Sequence, residues 1–231
     1  MTKDAPQKDE LYFFLDVETD GPVPGLDSMI ELGMVCCFPD GEEAGRISLA
    51  LHPLPDALRR ESIAKAGCNA FWERFPKVLA KIQSEAIHPL MAMAHVSRWV
   101  SDIQFRENRS RGLVCVTDPA AFDYAFLRYY WERFVPNVRN PFEQRCFDMR
   151  SWWAGATGGA YFKSGKQGMK RAGVRWSAPH THRAVEDAHE LAERFFAARA
   201  FLEQRQASQG HNYVAQGLGL LAQGLGLVPP G

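Results

Sequence analysis

The sequence predicts an α/β chain built on a mixed sheet of five strands. Three observations carry that expectation. Apolar runs at residues 11–18, 29–38 and 45–52 follow one another through short loops, the pattern of a three-strand meander. Two further strands, 112–117 and 145–149, come later, each after a stretch of helical spacing. Of the 231 residues, 46% are hydrophobic, enough for the core of one full-sized domain.

In chain order, residues 1–10 are polar and read as a flexible tail, without the apolar segment of a signal peptide. The first strand reads LYFFLDVETDG from residue 11 and ends in carboxylates. Residues 19–28 hold two glycines and two prolines and form a loop at its carboxyl end. Asp40-Gly41 marks the turn between the second and third strands. Residues 62–83 fit two short helices around Phe71, Trp72 and Phe75, with Trp72 assigned to the core. Residues 89–106 carry a helical stripe: Leu90, Met93, Ala94, Val96, Val100 and Ile103. After the strand at 112–117, Asp118 and Pro119 supply an N-cap and first-turn proline for a helix reaching about residue 135. Residues 154–168 are glycine-rich and read as a mobile connection. A last helix is expected over 182–206, with Ala184, Ala188, Leu191, Phe195, Ala198 and Leu202 on one face. The folded unit is thus 11–207, and 208–231 is a flexible or docking tail. In that tail VAQGLGL at 214–220 is followed by LAQGLGL at 221–227, and two glycines per unit disfavour a helix.

Composition bounds the function. Formal net charge is zero, but its distribution is uneven. Residues 1–45 hold eleven acids and two lysines, whereas 149–185 hold seven Lys/Arg and no acid. That asymmetry suggests an acidic site facing a basic rim. The five cysteines (36, 37, 68, 115, 146) are odd in number and contain no C-x-x-C, which points to reduced thiols in a cytoplasmic setting. No apolar run reaches the ~20 residues of a membrane helix.

The chemistry begins at Asp16 and Glu18. Two residues apart on a strand, they share a face about 6–7 Å apart along the chain. Buried carboxylates so placed either take up a proton or hold a cation, and hard ions such as Mg²⁺ or Mn²⁺ suit an all-oxygen site. The plain alternative is a strand with an acidic, solvated end. Asp187 lies beside the apolar stripe of the last helix, five residues after His182. Asp123 opens the middle helix between Phe122 and Tyr124, where a first-turn acid is also favoured by the helix dipole alone.

Taken together, Asp16-Val17-Glu18-Thr19-Asp20-Gly21, Phe122-Asp123 and His182-Arg183-Ala184-Val185-Glu186-Asp187 resemble the three motifs of DEDDh-family 3′–5′ exonucleases. The resemblance covers roughly residues 11–200 and implies a ribonuclease-H-like fold. It implies that Asp16, Glu18 and Asp187 hold one metal ion, that Asp16 bridges to a second, and that Asp123 completes the set. It makes His182 the general base; His180, seven before Asp187, has the wrong spacing. Thr19 and Gly21 would meet the terminal nucleotide and Phe122 would stack on or wedge between bases. The basic residues Lys163, Lys166, Lys170 and Arg171 would grip the backbone of a single-stranded DNA or RNA 3′ end. Many members carry His-Asn before the second-motif aspartate, where this chain has Asp118-Pro119. By analogy with ribonuclease T a homodimer is expected, and by analogy with polymerase-associated exonucleases a polymerase or other protein partner at the tail. The runner-up is an inactive nucleic-acid-binding or docking module on the same fold.

Overall fold

The computed structural model describes residues 10–57, 61–107 and 112–224, with side chains for all of these except 63–64 and 208–224. Its five strands are β1 (Glu10–Thr19), β2 (Met29–Cys37), β3 (Glu43–Ala50), β4 (Gly112–Thr117) and β5 (Cys146–Asp148). They form one sheet in the order β3-β2-β1-β4-β5. β1–β2 and β2–β3 are antiparallel, as a meander requires, and β4 and β5 add in parallel. β1 is therefore central and covered on both faces, which suits its apolar, aromatic run.

Alternation along β1 builds two cores. Leu11, Phe13, Leu15 and Val17 face helices α3 (Pro89–Arg106) and α4 (Asp123–Phe134). Tyr12 and Phe14 face the opposite layer, made by α5 (Met149–Thr157), α6 (Lys166–Ala172) and α7 (Ala184–Gly224). Asp16 and Glu18 share the parity of Tyr12 and Phe14, so the pleat itself aims both carboxylates at α7. A smaller cluster joins α1 (Ile63–Trp72) and α2 (Pro76–Glu85) to the edge of the sheet through Ile30, Ala50, Trp72 and Ile82. Trp72 is buried as expected, and its indole N–H donates to the Thr19 carbonyl at 2.8 Å.

Gly33 sets the seat of α7. It lies opposite Asp16 in the β1–β2 ladder. A Cβ at Gly33 would come within 2.1 Å of the Ala184 carbonyl carbon and the Val185 nitrogen. The first turn of α7 thus rests directly on bare β2 backbone, a fit only glycine permits.

Three sequence expectations are corrected. The helix after β4 starts at Asp123, not at 118. Residues 119–122 form a tight turn closed by Phe122 N–H to the Pro119 carbonyl, and the Asp118–Pro119 peptide is cis. Asp118 is drawn away from capping by two guanidiniums, Arg150 at 3.0 Å and Arg194 at 2.8 Å. Residues 154–168 are not a loose connection. α5 runs to Thr157, Gly158 ends it in the left-handed conformation at φ 68°, and a short 3₁₀ turn, Tyr161–Lys163, leads into α6. The last helix does not stop near 206 but continues to Gly224. Once a long packed segment has nucleated a helix, each further backbone hydrogen bond fixes only one residue, so glycines retard but do not stop it. The tail at 1–9 and the end of the repeat at 225–231 lie outside the described residues. None of the described helices is long and apolar enough to cross a membrane.

Candidate active site

Three elements, β1, α4 and α7, meet at the carboxyl end of β1. Oxygens of Asp16, Glu18 and Asp187 all lie within 4.8 Å of one another. Asp123 reaches the same place from the opposite layer: its Oδ1 accepts the Val17 N–H at 3.3 Å, between the two β1 acids. All four sequence-nominated carboxylates are brought together.

Packing four acids here is costly without a counter-charge. Burial, then Asp123, Glu18 and Asp187 in that order, push the Asp16 carboxyl well above its usual range. Burial, then Asp187 and Glu31, push Glu18 up to about 8. Burial pushes Asp123 up to about 7, against the pull of the Val17 hydrogen bond. Oxygen donors this close, with Asp16, Glu18 and Asp123 all pushed toward the neutral form, fit a hard divalent cation.

Asp187 is held from behind. It sits in the first turn of α7, 3% exposed, and accepts from the Thr181 N–H at 2.7 Å and the His182 N–H at 3.1 Å. Both donors come from a bend that places His182 at φ 59°, a left-handed conformation that histidine adopts more readily than most L-residues. The His182 ring lies 4.2 Å from Phe75 and 4.9 Å from Phe71, centroid to centroid. A ring nitrogen of His182 is within 4.8 Å of Asp187 and His180. Burial against those rings, then repulsion by His180, lowers the His182 pKa below its ordinary value.

His180 plays a different part. Its Nδ1 is 2.8 Å from Asp187 and 3.2 Å from Glu190. Hydrogen bonds to these carboxylates, Asp187 foremost, raise it to about 9. Protonated, it cannot also accept from Lys166 Nζ, 2.9 Å away; the two cations instead share Glu190, which Lys166 reaches at 2.5 Å. Burial alone would raise Glu190, but hydrogen bonds from His180 and Lys166 outweigh it and bring it to about 2.

Of the other nominated residues, Thr19 is buried with its carbonyl occupied by Trp72. Gly21 is packed so closely on Asp27 that a Cβ would lie 2.3 Å from its carboxyl carbon. Phe122 is half-buried, its ring 5.3 Å from Phe126. Lys163, Lys166 and Arg171 line one cleft, whereas Lys170 turns aside to cover Trp176, 4.7 Å from its ring.

Residues that the sequence reasoning passed over complete the frame. Buried Glu31 accepts from Arg183 at 2.8 Å and from the Ala184 N–H at 2.9 Å, pinning the start of α7 to β2. Glu190 and Arg194 follow Asp187 at three and seven residues, so their burial could have been read from the same stripe that flagged Asp187.

The raised carboxylates set a pH dependence. A carboxylate whose pKa is higher folded than unfolded favours the folded state while protonated, below about pH 4, and loses that contribution as pH rises through its folded value. For Glu18 and Asp123 the window runs from about 4 to about 8. Metal-free protein is therefore expected to melt lower at pH 8 than at pH 5, by about 10 °C, and Mn²⁺ to restore more at pH 8. Melting curves with and without EDTA check it; a flat or rising metal-free profile would contradict it.

No family model matches the chain. Cap18, a 3′–5′ DNA exonuclease of Escherichia coli, is 25% identical over 186 residues, covering 80% of this chain and 90% of the relative. A 3′-exonuclease solved with a histone mRNA stem-loop superposes with a TM-score of 0.61 at 13% identity, over 87% of this chain and 68% of that one. The zinc-bound complex of E. coli exonuclease I with single-stranded DNA gives 0.51 at 13% identity, over 90% of this chain but only 43% of the larger protein. By sequence the chain is similar to a 3′–5′ DNA exonuclease, and its fold is the one these solved exonucleases share, the ribonuclease-H-like architecture its sheet order displays.

Proposed function

We propose that the chain is a metal-dependent 3′–5′ exonuclease that releases nucleoside 5′-monophosphates from single-stranded ends. The observation that carries the reading is the convergence of Asp16, Glu18 and Asp187 within 4.8 Å, with Asp123 beside them. Asp16, Glu18 and Asp187 would hold one Mg²⁺ or Mn²⁺, and Asp16 with Asp123 a second. When bound, the pair supplies positive charge to the phosphate and leaving oxygens and acidifies water.

The chain's own groups do the rest. His182, kept neutral by its aromatic surroundings, takes the proton of the attacking water. The water oxygen forms a bond to phosphorus as the bond to the 3′-oxygen of the preceding nucleotide breaks, and that oxygen takes up a proton. Thr19, Gly21 and Phe122 border the terminal nucleotide, while Lys163, Lys166 and Arg171 serve the strand. DNA is the first substrate to test, since the E. coli relative is a DNA exonuclease. The free cysteines, three of them buried, support a reducing, cytoplasmic setting. A homodimer, checked by sedimentation, and a protein partner at residues 208–231 belong to the same reading.

The test is a 5′-labelled single strand incubated with Mn²⁺, with and without EDTA. Stepwise shortening from the 3′ end that EDTA stops is expected; an intact strand in Mn²⁺ would end the proposal and favour the inactive binding module. His182→Asn is the informative variant, because asparagine tolerates the left-handed backbone but is no base. It should lose about 10²–10⁴-fold in rate while keeping the Mn²⁺-induced rise in melting temperature.

A further inference from the structure

Beside the carboxylates lies a cleft of about 430 Å³ between α5, the 3₁₀ turn and α6. Its lining is basic: Arg150, Lys163, Lys166 and Arg171. The one acid in its wall, Asp118, is already held by two guanidiniums, Arg150 at 3.0 Å and the fully buried Arg194 at 2.8 Å. A single carboxylate between two arginines leaves the wall cationic. Lys163 and Arg171 have no carboxylate partner among the described residues.

The cleft's outer lip is aromatic. Phe162 is 79% exposed and Tyr161 47%. Cations flank both rings: Lys163 Nζ is 5.7 Å from the Phe162 centroid, and the Arg150 guanidinium 5.7 Å from that of Tyr161. This lip is held firmly. Ser164 is buried and donates to the Ala160 carbonyl at 2.9 Å, and Gly168 packs so tightly on the Lys163 carbonyl that a Cβ would lie 1.7 Å from its oxygen. A nearly bare phenylalanine fixed beside Lys163, at the rim of a cationic cleft, presents a π-face to a partner that is both anionic and aromatic.

Lys166 joins this cleft to the catalytic cluster. Its Nζ meets Glu190 at 2.5 Å, and Glu190 meets the His180 that holds Asp187. The cleft begins where the carboxylates end.

We propose that this cleft is the upstream track for the single strand. Arg150, Lys163 and Arg171 take the two backbone phosphates before the scissile bond, and Phe162 stacks on the base beside them. A duplex would not serve, because its base faces are already stacked within the helix. The proposal rests on the exonuclease reading for its direction, but the binding itself needs no chemistry.

The test uses the full chain, oligothymidylates of two to eight nucleotides, and two variants, Phe162→Ala and Lys163→Ala/Arg171→Ala. In wild type, kcat/KM should climb with length over the first few nucleotides. Phe162→Ala should cut the eight-mer to dimer ratio about tenfold, the loss of one base–aromatic stack. The double variant should flatten the salt dependence of eight-mer binding by about 1.4 in log–log slope, the mark of two lost phosphate contacts. Binding is read separately by fluorescence anisotropy in EDTA. Variants with wild-type length ratios and salt slopes overturn the cleft while leaving the exonuclease reading intact. Strands that bind through the cleft but are never shortened would overturn the exonuclease reading alone.

Discussion

Asp16→Asn is expected to lower nucleotide release at least about 10³-fold, roughly 4 kcal/mol of transition-state stabilisation, and yet to raise the melting temperature of the metal-free protein. The two effects have one cause. Asp16 faces Asp123, Glu18 and Asp187 at once, in a half-buried position where its charge is poorly solvated. Asparagine keeps the shape and removes the charge, so the folded state no longer confines that repulsion. The same change deletes the one side chain assigned to both cations, and with it the charge that must oppose the phosphate in the transition state. Single-turnover release, thermal melts in EDTA and Mn²⁺ titration measure the three consequences. A variant that turned over normally, or melted lower without metal, would show that this cluster is an ordinary acidic patch.

Gly33→Ala should be severely damaging for a single methyl. The added carbon would sit 2.1 Å from the Ala184 carbonyl carbon and the Val185 nitrogen, where backbone meets backbone and no side chain can swing away. Either β2 or the first turn of α7 must shift, at a cost of at least about 2 kcal/mol. The displacement falls on the turn that carries Asp187 and its two clasping N–H groups. Stability and the Mn²⁺ increment in melting temperature should therefore drop together. Gly67→Ala is the control: it lies in α1 with nothing within 4 Å of the added carbon, and should stabilise by about 0.5–1 kcal/mol. Urea denaturation of both variants measures the difference, and equal effects would refute the close-packed seat.

What could be read in the sequence was what local pattern dictates. α3 and β4 match their expected bounds because apolar periodicity and flanking breakers define both ends. Asp16, Glu18 and Asp187 were visible because strand parity and helix spacing each put an acid on an apolar face. The misses share a physical origin. Asp118-Pro119 has the form of a helix start, but Arg150 and Arg194, 32 and 76 residues away in sequence, claim the carboxylate. Glycines at 158 and 168 suggest looseness locally, yet the first ends α5 in the left-handed conformation and the second packs tightly on the Lys163 carbonyl. The Glu31–Arg183 pair spans 152 positions, and no local rule links its partners.

The acids descend from opposite layers of the sheet, three from the α7 side and one from the α4 side. On the exonuclease reading, a chain still emerging from the ribosome, or one with either layer melted, lacks the full set and leaves nucleic acid uncut. The destructive chemistry is thereby licensed only by completed assembly, a built-in safeguard for a cell that must synthesise such a protein amid its own genome and transcripts.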